Sequence, residues 1–184
     1  MRVLVAVLPL SGHVAPVTGL VSELAARGHD VRVYTGARHQ ERFAALGARI
    51  VPWVAAADYD EHELADSTLS KAGGSRTRRM MALVRDQFIG TAPGQVQDLR
   101  AELSREPADL LVADSMSFGG VLTGELPELP WALVNVLPFN QTIDGPPPLG
   151  LDIPPARGVW GRVRDRAMWA MYGAATMPFN RAYN

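Results

Sequence analysis

The chain has no cysteine. Disulfide bonds, thiolate metal sites and cysteine nucleophiles are therefore excluded. It has almost no lysine: of eighteen basic residues only Lys71 is one. Charge of either sign is not in excess, since the basic residues face nineteen acidic ones and the formal net charge is −1. That balance argues against a general nucleic-acid or membrane-surface binder. No stretch reaches the roughly 18 uninterrupted apolar residues of a membrane span. The apolar start, Met1 to Leu8, is short and runs into Pro9 without a cleavage site, so it reads as a buried strand and not as a secretion signal. A soluble, cytoplasmic protein is expected. Two catalytic signatures are missing as well. There is no G-x-S-x-G elbow for a serine nucleophile, and the first turn carries no G-x-G-x-x-G for a dinucleotide.

What is present is a globular composition, with 47% hydrophobic residues in 184, enough for one sizeable core. Val3 to Leu8 is continuously apolar and rich in β-branched residues, as in a strand buried on both faces of a parallel sheet. From Val14 the period changes. Val17, Leu20, Val21, Leu24 and Ala25 mark one face of a helix, with Pro16 in its first turn and Gly28 at its stop. Val31 to Thr35 reads as the next strand, Ala37 to Leu46 as a helix stopped by Gly47, and Ile50 to Val54 as a third strand. Ala55 to Gly74 is polar and reads as a long loop. Ser75 to Ser104 reads as mostly helical, with a break at Pro93-Gly94. Asp109 to Ala113 is the fourth strand, Ser115 to Glu125 a short helix, and Trp131 to Asn135 the fifth strand. Gly145 to Gly150 forms a rigid proline-rich loop. A final amphipathic helix runs from about Val159 and is still in progress at Asn184, so the chain reads as a piece of something larger.

The alternation predicts an α/β fold, a Rossmann-like doubly wound parallel sheet with right-handed crossovers and strand order 3-2-1-4-5. In such sheets ligands bind beyond the carboxyl ends of the strands, where the order reverses. Here that point lies between strands one and four. His13 follows strand one and Asp114 follows strand four, so two residues a hundred positions apart are predicted to meet across roughly 4.8 Å of strand spacing. A carboxylate on one ring nitrogen fixes the tautomer and leaves the other nitrogen to take a proton. Read singly, His13 is equally a polar turn residue and Asp114 equally a helix N-cap.

Gly12-His13-Val14-Ala15-Pro16, then Leu20 and Glu23-Leu24-Ala25-Ala26-Arg27-Gly28-His29-Asp30-Val31, resembles the opening of nucleotide-sugar-dependent glycosyltransferases of the GT-B fold. The match is with the inverting small-molecule (UDP-glycosyltransferase-like) family, in its bacterial natural-product branch. Many members have Asn where Ala15 stands, so no role is carried over to that side chain. The resemblance implies an N-terminal, acceptor-binding domain over residues 1–184. The donor-binding C-terminal domain has no match in this chain, so the 184 residues alone are expected to be inactive. It implies His13 as catalytic base and Asp114 as its partner. Ser11 and Gly12 would face the donor phosphates, since helix N-termini favour anions. The acceptor would be an apolar natural product, met by Phe88, Met116, Phe118, Phe139, Asn140 and Trp160, with Met80 and Met81 beside them. The proline-rich loop and the Trp-containing last helix are similar to the family's acceptor-covering region. A nucleoside-diphosphate sugar is the implied co-substrate, with no metal and no other cofactor. His29, His39 and His62 read as surface or loop residues, and Arg76, Arg78, Arg79 and Arg85 as a solvated helix face. The alternatives are a stand-alone acceptor-binding module serving a separate donor domain, and a GT-B transferase acting on a lipid-linked or cell-wall intermediate.

Overall fold

The fold is taken from a computed structural model, which describes residues 1–62, 84–127, 129–136, 153–154 and 156–183. Its contacts divide the chain into two units, Met1–Val136 and Leu137–Asn184. In the first, the elements are β1 (Arg2–Ala6), α1 (Ser11–Ala26), β2 (Asp30–Thr35), a 3-10 turn (Ala37–His39), α2 (Gln40–Ala44) and β3 (Arg49–Pro52). Among the described residues, a π-helical segment (Val84–Ile89), α3 (Ala92–Arg105), β4 (Leu110–Asp114), α4 (Phe118–Gly124) and β5 (Trp131–Val134) follow in the same unit. The second unit contains one long helix, α5 (Gly158–Tyr183). Among the described residues no helix is long and apolar enough to cross a membrane.

All five strands are parallel, in the order β3-β2-β1-β4-β5, the order expected from the alternation of periods. β1 lies at the centre, which is why its sequence is apolar from Val3 on. Val3, Val5 and Val7 pack on one face with Val14, Val17 and Val21 of α1 and with Phe43 of α2. Leu4, Ala6 and Leu8 pack on the other with Tyr34, Trp53, Phe88, Leu99 and Leu111. Each of these side chains from Val3 to Leu8 is at most 1% exposed, and burying one Val or Leu stabilises by about 1.5–3 kcal/mol. Arg32 interrupts the apolar run of β2 and is 0% exposed. Its guanidinium is paired with Glu102 of α3 and also donates to the carbonyl of Pro107 at 3.3 Å. A buried charge of this kind is tolerated because it is paired.

Several boundaries differ from the expected ones. β1 ends at Ala6, although Val7 and Leu8 remain buried and the Val7 N–H still donates to the Tyr34 carbonyl of β2 at 3.1 Å. α1 starts at Ser11 rather than at Val14, so Pro16 lies inside the helix and not in its first turn. The expected break lies slightly earlier, at Gly90-Thr91 between the π-helical segment and α3, and Pro93 stands in the first turn of α3, where its missing N–H has no helical partner to lose. The described part of the loop after β3 is tied down by carboxylates. Asp98 of α3 accepts from the backbone N–H of Val54, Ala55 and Ala56 at 2.7–3.1 Å and from the Tyr34 hydroxyl at 2.9 Å. Asp58 accepts from the Ala37 N–H at 2.7 Å.

Candidate active site

His13 is carried by the first turn of α1, not by the connection before it. The chain leaves β1 through Pro9 and Leu10. Leu10 is extended (φ −113°, ψ 133°) and its carbonyl accepts from the N–H groups of both His13 and Val14 at 2.9 Å. Leu10 has no side chain that can cap a helix. The free donors at this end are met from fifty residues away: the Ser11 N–H donates to Glu61 Oε2 at 2.8 Å, and the Ser11 hydroxyl donates to Oε1 of the same carboxylate. An anion at a helix N-terminus is favoured by the dipole and by the unsatisfied N–H groups. Ser11 therefore has its amide and hydroxyl engaged by the protein itself. Gly12 is exposed, and a Cβ added there meets nothing within 4 Å.

Asp114 is the last residue of β4. Its Oδ2 lies 2.8 Å from His13 Nδ1 and accepts from the Leu8 N–H at 3.3 Å, while Oδ1 accepts from the Met116 N–H at 3.1 Å. The Asp114 side chain is fully buried and that of His13 is 9% exposed. The contact to Met116 is an Asx turn. It sends the chain away from the sheet, and α4 begins only after Ser117, the residue that occupies its N-cap. Asp114 thus does not cap the helix that follows it. With Nδ1 donating to the carboxylate, the proton-accepting position of the neutral ring is Nε2.

The remaining sequence-predicted residues divide. Met116 and Phe118 are half-buried and pack against the core face that contains Leu4, Leu8, Trp53 and Phe88. Phe88 is itself 8% exposed and belongs to that core. Trp160 stands on α5 of the second unit, 84% exposed. Phe139, Asn140, Met80, Met81, Arg76, Arg78, Arg79 and the proline-rich loop lie outside the described residues. Among the described residues no group of three His, Asp or Glu gathers to hold a metal ion.

Four features around the pair were not read from the sequence. Glu61 is one. A second is Gln95 of α3, 0% exposed and bonded to the turn after β4. The third is Tyr59, whose hydroxyl is buried without a hydrogen-bond partner. Burial raises its pKa, and the Asp114 charge adds to the effect. The fourth corrects the surface reading of His39, which is 7% exposed. Burial lowers the pKa of its ring, opposed in part by the Glu61 charge. It closes the 3-10 turn, Ala37–His39, that follows β2 after Gly36, and is buried there.

No protein-family model matches the chain. Curated relatives do. 4'-Demethylrebeccamycin synthase of Lentzea aerocolonigenes is 36% identical over 169 residues, covering 91% of this chain and 40% of that protein. UDP-glucosyltransferase A1 of Starmerella bombicola is 30% identical over 154 residues, covering 79% of this chain and 33% of that protein. Among solved structures, the calicheamicin glycosyltransferase CalG4 superposes on 72% of this chain and 31% of its own, with a TM-score of 0.57 and 26% identity. The chain thus spans well under half the length of the proteins it matches.

Proposed function

The chain is a homologue of the N-terminal part of natural-product glycosyltransferases of the GT-B type, and from that premise we propose that it is the acceptor-binding part of such an enzyme. The reaction we assign is transfer of a sugar from a nucleoside-diphosphate sugar to a hydroxyl of an apolar small molecule, with inversion. The donor is held by a second domain outside these 184 residues. No metal and no further cofactor takes part. The observation that carries the reading is the buried His13–Asp114 contact of 2.8 Å at the carboxyl ends of adjacent strands.

In this reading an alcohol presented to Nε2 of His13 loses its proton as its oxygen attacks the anomeric carbon. The bond from that carbon to the diphosphate breaks, and the diphosphate leaves on the opposite side. An alcohol is a poor nucleophile at neutral pH, and a positioned base contributes about 10² to 10⁴ in rate. Asp114 offsets the positive charge that arises on the ring. Its own three hydrogen bonds hold it in place, so little rearrangement is needed when the proton moves. Met116 and Phe118, half-buried beside the turn that carries Asp114, supply apolar surface to the acceptor, as small-molecule sites require.

The experiment is His13→Ala in the transferase that carries this chain. Turnover with an aliphatic alcohol acceptor should fall by about 10² to 10⁴ while acceptor KM changes little. An acidic phenol, already ionised, should partly escape the defect. Equal losses for both acceptors, or near-full turnover, would leave His13 without the role of a base.

A further inference from the structure

Gln95 is a neutral amide in the middle of the protein with every polar atom engaged. It is 0% exposed. Its Oε1 accepts from the Ser117 hydroxyl at 3.0 Å and from the Gly119 N–H at 3.2 Å, and its Nε2 donates to the Thr91 hydroxyl at 2.9 Å. Thr91 passes its own proton to the carbonyl of Gln87 at 2.6 Å. The Gly119 N–H can only donate, so the oxygen of the amide must face the turn, and the orientation of the side chain is fixed. The backbone of the turn is pressed onto α3 at the same place: a Cβ on Gly119 would stand 2.2 Å from Gln95 Cβ and 2.7 Å from the Ala92 carbonyl.

The turn that Gln95 grips is the one that holds Asp114. Between Asp114 and α4 lie only Ser115, Met116 and Ser117. The Met116 N–H donates to Asp114 Oδ1, and the Ser117 N–H donates to the Asp114 carbonyl at 2.9 Å. Tethering Ser117 and Gly119 to α3 therefore fixes where the Met116 N–H points, and with it the rotation of the carboxylate. An apolar side chain of similar size would fill this space without burying an amide, which is costly unless its hydrogen bonds are made. We infer that Gln95 is a positioning residue for the His13–Asp114 pair: it holds the turn whose N–H sets the carboxylate against the ring. The inference rests on the reading of His13 as a base, and it names a residue that touches neither reactant.

The test is Gln95→Met, which keeps the volume and removes all three hydrogen bonds, against Gln95→Glu, which keeps the two that the turn donates. Both are made in the transferase that carries this chain. Three readouts apply: kcat, acceptor KM, and the downfield proton resonance of the His13 Nδ1–H shared with Asp114. Gln95→Met should lower kcat by about 10- to 100-fold, the scale of a misplacement of about 1 Å. Acceptor KM should stay within about twofold, and the resonance should move upfield or broaden, while Gln95→Glu restores most of kcat and the resonance. If Gln95→Met does not fold, Ser117→Ala removes one of the tethering bonds and should give a smaller loss in kcat with the same change in the resonance. Unchanged kcat and resonance in a folded Gln95→Met, an effect on KM alone, or equal losses in the Met and Glu variants would overturn the assignment. His13→Ala separates the two claims. Full turnover in that variant removes the base itself, whereas an inactive His13→Ala beside a fully active Gln95→Met removes only the role of Gln95.

Discussion

Asp114→Asn tests the pair at the level of single hydrogen atoms. The carboxylate accepts three hydrogen bonds in a side-chain position with no solvent exposure. Asparagine keeps the shape but replaces one acceptor oxygen by a donor NH2. If its oxygen takes the place of Oδ2, the His13 and Leu8 contacts survive and the NH2 group faces the Met116 N–H, donor against donor. If the amide turns over, Met116 is served, but the NH2 now faces Leu8 N–H and His13 Nδ1. The ring must then present a lone pair at Nδ1 and carry its proton on Nε2, the wrong tautomer for a base. Either arrangement strands at least one buried donor, at a cost of about 1–3 kcal/mol. For a chain of this length each kcal/mol lowers Tm by about 2–4 °C, so the substitution should lower Tm by roughly 2–12 °C. In the transferase, kcat should fall by about 10² to 10⁴, as when a catalytic histidine loses its orienting carboxylate. Thermal melts followed by circular dichroism and steady-state kinetics with a saturating acceptor are the assays. The double variant with His13→Ala should be no slower than the slower single variant, because the two residues act as a unit. An Asp114→Asn protein with native Tm and native kcat would refute the reasoning outright, and strictly additive losses would refute the claim that the pair is one device.

Other regions give simpler tests. Glu106 and Asp109 are held down to about 2 by hydrogen bonds from Arg49 and Arg2, from ordinary values of 4.5 and 3.8. A carboxyl depressed in the folded state contributes fully above its unfolded pKa and loses that contribution as pH falls through the folded one. Tm should therefore be insensitive to these two groups above about pH 5 and decline between about pH 4.5 and pH 2. Arg49→Ala should flatten part of that decline, and an unaltered pH profile in the variant would count against the assignment. Asp98→Ala leaves the N–H groups of Val54, Ala55 and Ala56 without their acceptor. It should destabilise by about 1–3 kcal/mol, with faster amide exchange at those three positions in hydrogen-exchange measurements. Gly119→Ala drives a methyl group into Gln95 and the Ala92 carbonyl. It should cost about 1–3 kcal/mol in denaturant unfolding, and a neutral result would mean that α3 and α4 separate without strain.

The strand order was legible because strands and helices alternate along the chain and right-handed crossovers leave few orders for such a sheet. β1 is apolar on both faces and lies at the centre, while β3, with Arg49 and Pro52 exposed at its ends, lies at an edge. The placement of His13 and Asp114 followed from that order alone. The start of α1 was not legible, because apolar period begins at Val14 while the group that completes the first turn is Glu61, fifty residues on. Gln95 was hidden for a related reason. A glutamine in an amphipathic helix reads as a solvent-facing residue until the partner turn, Ser117 to Gly119, is folded against it. Pro93 marked the break to within a few residues, since the ring that cannot stand in a helix interior suits the first turn of the next helix.

The pairing of β1 with β4 also has a consequence for the order of events in folding. β1 and β2 are separated by one helix and can pair early, whereas β4 reaches β1 only after β2, α2, β3 and α3 have been laid down. His13 and Asp114 are 101 positions apart, and closing a flexible loop of that length costs about 4 kcal/mol in chain entropy. Until that closure is made there is no switch point and no dyad, whatever helix has already formed. On the ribosome, and in refolding from denaturant, recovery of the His13–Asp114 proton resonance should therefore lag behind recovery of helical circular dichroism.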